Sequence, residues 1–391
     1  MKKFTNIFRF GFALASIVAC AAGCTPSTAP TNPEPSEEPS EPTTSIPEPT
    51  YWSETYQNPI IPRGATGSQY KNEAPDPSIV KGDDGYWYAV TTGNGGGVMF
   101  RSEDCCRWKI VTERVIDRPT WGDKYNPDGG RPDVWAPDLV KIGDNWIYYY
   151  SLSGWSNPIG IGYAISDTVE GPYKDMGKLV DCQELDLDNA IDPCIFIEED
   201  AIYMAIGSFQ GIDLIELEED GMSVKGDPKK TKTLIAGSYG GWNAAETEGS
   251  YIIKKDDYYY YFGSEGTCCV GETSSYRVVV ARSESITGPY VDDQRNPMVG
   301  DGGAGKVVVW APSNNGKYAG PGHNSVFQDD AGDYWLFYHA YTKDDGFSVR
   351  HLMMDKLLWD EDGWPYVHGE GKFKPSYHEE LDGPRFFDVA E

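Results

Sequence analysis

Five short segments of the sequence align with one another without gaps. They begin at Asp76, Ala136, Asp192, Glu248 and His323, and their starts are separated by 60, 56, 56 and 75 residues. Ten or eleven residues after each start, an aromatic residue heads an apolar run, and a turn rich in Asp, Gly or Lys lies between the two. This pattern predicts a β-hairpin at the beginning of each of five repeated units.

Further similarity extends the repeat beyond the hairpin. Phe100-Arg-Ser-Glu, Ala164-Ile-Ser-Asp and Ala281-Arg-Ser-Glu lie where a third strand would follow in three of the units. Units of about four strands that recur five times predict an all-β fold, a five-bladed β-propeller, with the first strand of each blade nearest the central axis. The composition agrees, because 26 Tyr, 12 Trp, 44 Gly and 27 Pro are typical of a turn-rich β protein.

The first 50 residues are predicted to lie outside the propeller. Residues 1–23 have a basic start, an apolar run and small residues at the end, which is the layout of a secretory signal peptide. Residues 24–50 form a spacer, in which 8 of the 26 residues from Thr25 to Thr50 are Pro, 10 are Ser or Thr and 5 are Glu. Such a stretch cannot form a core. The propeller domain is therefore predicted over residues 51–391.

The end of the signal peptide predicts how the protein is attached to the cell. Ala21-Ala22-Gly23-Cys24 resembles a bacterial lipobox, in which the cysteine is lipidated after cleavage. We therefore expect an exported protein that is anchored at the cell envelope or surface through lipid on Cys24. Plain secretion is the alternative.

Charge and cysteine content limit the possible partners. With 61 acidic and 33 basic side chains, the net charge is -28, which disfavours binding to nucleic acid or directly to an anionic membrane. We expect a monomer that contacts a membrane only through its lipid anchor. Export permits disulfides, but the sequence leaves open how the propeller cysteines pair: Cys105, Cys106, Cys182, Cys194, Cys268 and Cys269. Their spacing, together with only five His, disfavours a zinc site.

The register of the repeat also predicts a site. If the first aligned position lies at the same place in each blade, Asp76, Asp192, Glu248 and His323 converge at one end of the axis. A single Asp-Pro is usually a turn residue, but four ionisable groups in register indicate a functional cluster. Paired carboxyls without a phosphate loop or a nucleophile elbow favour glycoside hydrolysis, in which an acid protonates the leaving oxygen and a base activates water. Asp192 would orient the acid and raise its pKa.

Four motifs carry a resemblance to a known family. They are Ala74-Pro-Asp76-Pro-Ser, Val134-Trp-Ala-Pro-Asp138, Asn189-Ala-Ile-Asp192-Pro and Glu248-Gly-Ser-Tyr. From about Tyr56 to Tyr377, the chain resembles glycoside hydrolase family 43. Within that family it is most similar to arabinan endo-1,5-α-L-arabinanases, as segments such as Gly266-Thr-Cys-Cys-Val-Gly and Gly320-Pro-Gly-His-Asn-Ser indicate. The resemblance implies cleavage of internal linkages of plant cell-wall arabinan or arabino-oligosaccharides, with inversion of configuration.

The resemblance also implies catalytic roles: Asp76 as general base, Asp192 as pKa modulator and orienting group, and Glu248 as general acid. Glu246 is a rival for the acid, because residues two apart share one face of a strand.

Sugar rings present apolar faces, so we expect aromatic side chains in the cleft. Trp135 is the main candidate, with Trp155 and Trp242 as further ones, and the motif that contains Asn189 implies substrate binding there. His323 matches a histidine that, in related arabinanases, contributes to a metal site, often calcium, largely through waters. No organic cofactor is expected.

Two other functions remain open. An exo-acting α-L-arabinofuranosidase or β-xylosidase would use the same three carboxyls on the same scaffold. A non-catalytic glycan-binding surface lipoprotein would keep the aromatic side chains but would not need an acid.

Overall fold

The computed structural model describes residues 49–60, 73–125, 132–154, 158–239, 246–300, 302–312 and 315–387. This part of the chain forms five four-stranded antiparallel sheets, and within each sheet the strands are neighbours in chain order. The predicted all-β, five-bladed propeller is therefore confirmed. The signal peptide, Cys24, nearly all of the spacer, Trp155 and Trp242 lie outside the described residues.

Each blade consists of one continuous stretch of chain. The strands are Ser78–Lys81, Trp87–Thr91, Val98–Ser102 and Lys109–Thr112 in blade 1; Asp133–Ile142, Asn145–Ser153, Gly160–Ser166 and Lys174–Asp181 in blade 2; Cys194–Ile197, Ile202–Gly207, Ile212–Leu217 and Thr233–Ala236 in blade 3; Glu248–Lys255, Tyr258–Glu265, Arg277–Ser283 and Lys306–Val309 in blade 4; and Tyr318–Gln328, Tyr334–Thr342, Arg350–Trp359 and Pro365–Val367 in blade 5. Short α-helices span Cys182–Leu185 and Pro228–Thr231, and 3-10 turns span Asp123–Tyr125, Gly271–Thr273 and Lys343–Asp345.

The first strands of the five blades surround the axis. Each contacts the first strand of the next blade, and the first strand of blade 5 contacts that of blade 1, so the ring closes. The innermost position predicted for these strands is thus confirmed.

The second strands are buried on both faces, between neighbouring blades. In blade 2, Tyr148 and Tyr150 pack toward blade 1, whereas Tyr149 packs toward blade 3, and all three side chains are fully buried. Because successive side chains of a strand point to opposite faces, a continuous aromatic run suits a strand that lies between two neighbours. Hydrophobic side chains fill each space between adjacent blades in this way.

The two ends of the described chain close the ring between blades 5 and 1. Tyr51–Trp52 pairs with Phe386–Phe387, and Thr55–Tyr56 pairs with Leu381–Asp382. The buried Asn58 donates from Nδ2 to the carbonyl oxygen of Met354 at 2.7 Å and accepts the Met354 N–H at 3.0 Å. The terminal strands thus pair only with each other, and all four strands of blade 1 and of blade 5 come from that blade's own stretch of chain. Within the described ranges, no helix is both long and apolar enough to cross a membrane.

Candidate active site

The same backbone turn recurs in every blade, just before the first strand in blades 1 and 3 and within the first strand in blades 2, 4 and 5. Five residues at this turn have positive φ angles of 55°, 39°, 58°, 58° and 48°, and they are Asp76, Ala136, Asp192, Gly249 and His323. A positive φ is costly for residues other than glycine, and it persists only where the surrounding structure enforces it. The turn therefore sets the direction of the side chains at the axis.

In four blades, a polar side chain of the preceding blade holds this turn. It accepts the backbone N–H of the turn residue from a position near the end of the second strand. The pairs are Ala136 N to Thr92 Oγ1 at 2.7 Å, Asp192 N to Ser151 Oγ at 2.8 Å, His323 N to Ser264 Oγ at 2.7 Å and Asp76 N to His339 Nδ1 at 3.2 Å. Four of the five blades thus fix the turn of the next blade.

Blade 4 departs from the register that the gap-free alignment predicted. Gly249, and not Glu248, has the positive φ, and Glu248 pairs with Ser264 as Trp135 pairs with Ser151 in blade 2. A Cβ on Gly249 would lie 3.0 Å from the His323 ring, and its φ of 58° is costly for other residues, so both features favour glycine here. The alignment was therefore wrong by one residue here, although Glu248 still reaches the same cleft.

Asp76 lies among positively charged or polarisable groups from blade 5. Its Oδ1 is 3.4 Å from His323 Nδ1, 3.3 Å from His339 Nδ1 and 3.6 Å from Arg350 Nη1. Burial alone would raise the pKa of Asp76, but His323, Arg350 and His339 outweigh it and hold that pKa well below its usual range. Asp76 is therefore ionised at neutral pH.

Burial shifts the pKa of the two neighbouring histidines downward, because it disfavours their charged form. Burial lowers the pKa of His323, and it lowers the pKa of His339 to about 4. A neutral His339 can accept the Asp76 N–H at Nδ1, so its contact with the Asp76 carboxylate is not a second hydrogen bond. Arg350 is then the permanent positive charge beside Asp76.

The pKa of the buried Glu248 is shifted in the opposite direction from that of Asp76. Burial raises the pKa of Glu248 and the charge of Asp76 adds to this effect, while hydrogen bonds from Ser208 and Tyr276 reduce it. Ser208 Oγ donates to Oε2 at 2.7 Å, and Tyr276 OH donates to Oε1 at 2.8 Å. These donors fix the carboxyl in one orientation.

Asp192 links the two carboxyls electrostatically. Burial raises its pKa, and the charges of Glu248 and Asp76 raise it further. Its Oδ2 accepts the backbone N–H of Gly249 at 3.0 Å, which ties it to the residue that follows Glu248. An ionised Asp76 beside carboxyls whose pKa is raised is the arrangement that general acid–base chemistry needs.

These carboxyls line a cleft of about 820 Å³. Trp135, Asn189 and Glu246 are half-buried in its wall, as the sequence predicted for two substrate-binding residues and a rival acid. The cleft thus combines an aromatic side chain with convergent polar groups, which is typical of a small-ligand site. The catalytic and binding roles of these residues remain predictions.

Comparison with known proteins identifies the family. The sequence model of glycosyl hydrolases family 43 matches residues 56–365. The chain belongs to glycosyl hydrolase family 43. The family resemblance found from the motifs is thereby confirmed, and the protein is a glycoside hydrolase.

Individual family 43 relatives match over most of their length. An extracellular exo-α-(1→5)-L-arabinofuranosidase of Cellvibrio japonicus is 32% identical over 311 residues, covering 75% of this chain and 85% of that protein. An extracellular endo-α-(1→5)-L-arabinanase of Bacillus subtilis is 32% identical over 297 residues, covering 74% and 86%. The solved structure of Cellvibrio cellulosa α-L-arabinanase complexed with arabinohexaose has a TM-score of 0.66 and 29% identity, covering 75% and 95%.

The side chains at the axis limit which metal ion this family 43 chain could hold. Among the described residues, no group of three or more His, Cys, Asp or Glu side chains could hold an ion directly. Calcium takes six to eight oxygen ligands, so the residues present fit only an ion that keeps most of its waters. His323 is the side chain that would hold such an ion at the axis.

Sequence reasoning missed several residues of the family 43 site. Arg350 and His339 come from later strands of blade 5, and Tyr276 precedes the third strand of blade 4. Ser208 could have been found, because Ser, Thr or His recurs fifteen or sixteen residues after the first position of every repeat. No comparable repeat marks Arg350 or Tyr276.

Proposed function

We propose that this family 43 hydrolase cleaves internal α-1,5-L-arabinofuranosyl linkages of arabinan with inversion of configuration. One observation carries the proposal: a single cleft holds an ionised Asp76 and a hydrogen-bonded Glu248 whose pKa is raised. The substrate class is supported by the arabinan-directed activities for which the relatives are named.

The reaction follows from these protonation states. Asp76 removes a proton from a water molecule, whose oxygen attacks the anomeric carbon of the arabinofuranosyl residue. As the bond to the leaving oxygen breaks, Glu248 donates its proton to that oxygen. Attack from the face opposite the leaving group inverts the anomeric centre. Asp192 acts as an orienting group that keeps Glu248 protonated toward neutral pH.

The shape of the cleft supports internal cleavage. A second cavity, of about 360 Å³, shares Asp188 and Gln210 with the main cleft and is also lined by Tyr239. A substrate chain can therefore extend beyond the carboxyls in that direction. An exo-acting arabinofuranosidase, the activity of one relative, instead requires one end of the site to be closed.

Product sizes distinguish internal from terminal cleavage. We expect linear arabinan to give a mixture of oligosaccharides from the earliest times, together with a rapid fall in viscosity. A single short product that accumulates from the start would assign exo action and overturn the endo proposal. The Asp76→Asn variant, which we expect to be inactive, is the control for hydrolysis by contaminating enzymes. Activity on an aryl β-xyloside that exceeds activity on arabinan would instead assign a β-xylosidase.

We also propose export, which is supported by the signal-like start and by relatives named extracellular. Lipid on Cys24 would retain the protein in the detergent phase after phase partitioning, and Cys24→Ser would release it. A Cys24→Ser protein that stays in the detergent phase would contradict lipidation.

Calcium at the axis, held by His323 and water, remains a separate proposal. Elemental analysis after exhaustive dialysis should find calcium in the wild type and less in His323→Ala. Equal calcium in both proteins would remove His323 from the site.

A further inference from the structure

Two adjacent cysteines in the cleft wall form a disulfide. Cys268 and Cys269 lie in the loop between the second and third strands of blade 4, where both are half-buried. They line the same cleft as Asp76, Glu248 and Tyr276. The other adjacent pair, Cys105 and Cys106, is buried away from the cleft and remains reduced. Adjacency in sequence therefore does not by itself explain the bond.

The loop around the disulfide is fixed by its own hydrogen bonds. Thr267 N donates to Ser275 Oγ at 3.0 Å, and Ser275 N donates to Thr267 O at 3.0 Å. Val270 N donates to Ser274 Oγ at 3.1 Å. A Cβ on Gly266, which has φ 91°, would lie 2.7 Å from the Ser275 carbonyl oxygen, so the close approach of the two loop arms requires glycine. The disulfide is thus held in place from both sides.

The chemistry of this surface differs from that of the carboxyls around it. The wall carries the carboxyls of Asp76, Asp188, Asp192, Glu246 and Glu248. The disulfide is uncharged and polarisable, has no hydrogen to donate, and closes a small ring with the backbone, so neither side chain can rotate. An apolar surface of fixed shape beside these carboxyls suits the C–H face of a sugar ring.

We propose that the Cys268–Cys269 disulfide is the apolar wall of a subsite for an arabinofuranosyl residue next to the reaction centre. This inference rests on the proposed function. The disulfide could instead affect catalysis indirectly, by positioning Arg350. Arg350 Nη1 lies 3.6 Å from Cys269 Sγ, and Arg350 also contacts Asp76. A wall that contacts substrate in both the ground state and the transition state changes KM and leaves kcat unchanged.

The test compares wild type with the variant Cys268→Ser/Cys269→Ser on linear arabinan. We expect KM to rise about fivefold to tenfold, since one apolar sugar contact is lost, while kcat stays within about twofold. Val270→Ala is the matched control, because Val270 lies on the same loop, is 49% exposed and is not part of the cleft wall. Val270→Ala should leave KM unchanged.

Reduction of the wild type provides a second measurement that needs no mutation. A phosphine converts the disulfide to two thiols and becomes a phosphine oxide, with water supplying the oxygen and both hydrogen atoms. All other described cysteines are free, so within the described residues this bond alone can respond. Treatment should raise the KM of wild type and should not affect the double-serine variant.

The outcomes separate the inference from the function on which it rests. If the wild type degrades arabinan and its KM is the same with and without the disulfide, the proposed subsite is wrong but the proposed function stands. A fall in kcat at constant KM would also overturn it, since it would indicate an effect through Arg350. Wild type that does not act on arabinan would overturn the proposed function itself.

Discussion

Replacing Tyr276 with Phe should move the alkaline limb of the pH–rate profile to higher pH. The Tyr276 hydroxyl donates to Glu248 Oε1 at 2.8 Å, and both residues are buried. This hydrogen bond favours the ionised carboxylate and so lowers the pKa of Glu248. Without it, Glu248 holds its proton to higher pH, and a general acid remains active over a wider range.

The size of the change follows from the strength of the bond. A hydrogen bond to a charged group contributes about 1.5–3 kcal/mol, and about 1.4 kcal/mol corresponds to one pKa unit. Removing the bond should therefore move the alkaline limb of kcat/KM upward by about one to two pH units. Ser208 keeps its own bond to Oε2, so Glu248 stays oriented.

The assay is kcat/KM on arabinan across the pH range, with Tyr338→Phe as the matched control. Tyr338 is also a buried tyrosine that donates to a buried carboxyl, Asp355 Oδ2 at 2.6 Å, but it lies outside the cleft wall. Tyr338→Phe should leave the alkaline limb of the pH–rate profile at the same pH as in the wild type. A limb that stays or moves to lower pH in Tyr276→Phe would refute the assignment of Glu248 as the acid.

Three further predictions test the remaining parts of the site. Glu248→Gln should lower the rate on arabinan at least about a hundredfold but should lower the rate on an aryl arabinofuranoside with a good leaving group much less. Asp76→Asn should lower the rate on both substrates. Equal losses of rate on the two substrates for Glu248→Gln would contradict its role as the acid. Arg350→Gln removes a positive charge 3.6 Å from Asp76, so the pKa of Asp76 should rise and the acid limb of kcat/KM should move to higher pH; a move to lower pH would refute this. Gly249→Ala should lower Tm more than Gly143→Ala, because both glycines have φ near 58° but only the first would press a Cβ against the axial imidazole; equal losses in calorimetry would disprove that contact.

The repeat made the inner strands and the first two carboxyls predictable from sequence. Asp76 and Asp192 each precede proline at equivalent places, and the alignment found both because blades 1 and 3 keep the same local turn. Blade 4 was misaligned by one residue, because the amino-acid sequence alone does not show that Gly249 has the positive φ there. Glu248 was found because a shift of one residue at the axis still leaves its side chain in the cleft.

The partners of the carboxyls were not predictable in the same way. Arg350 belongs to the third strand of blade 5, and its approach to Asp76 depends on how the ring closes. The Cys268–Cys269 bond was equally hidden, because Cys105–Cys106 has the same sequence pattern and no disulfide. A contact between blades decides the position of Arg350, and the conformation of one loop of blade 4 decides the disulfide.

The closure between blades 1 and 5 has a consequence for the order of events in folding. The group that accepts the Asp76 backbone N–H lies 263 residues further along the chain, on the last blade. Contacts between such distant residues are slow to form because a large loop must close first. A chain that lacks the last blade therefore lacks the surroundings that keep Asp76 ionised. We therefore expect hydrolytic activity to arise only when the last blade has docked on the first, at the end of folding.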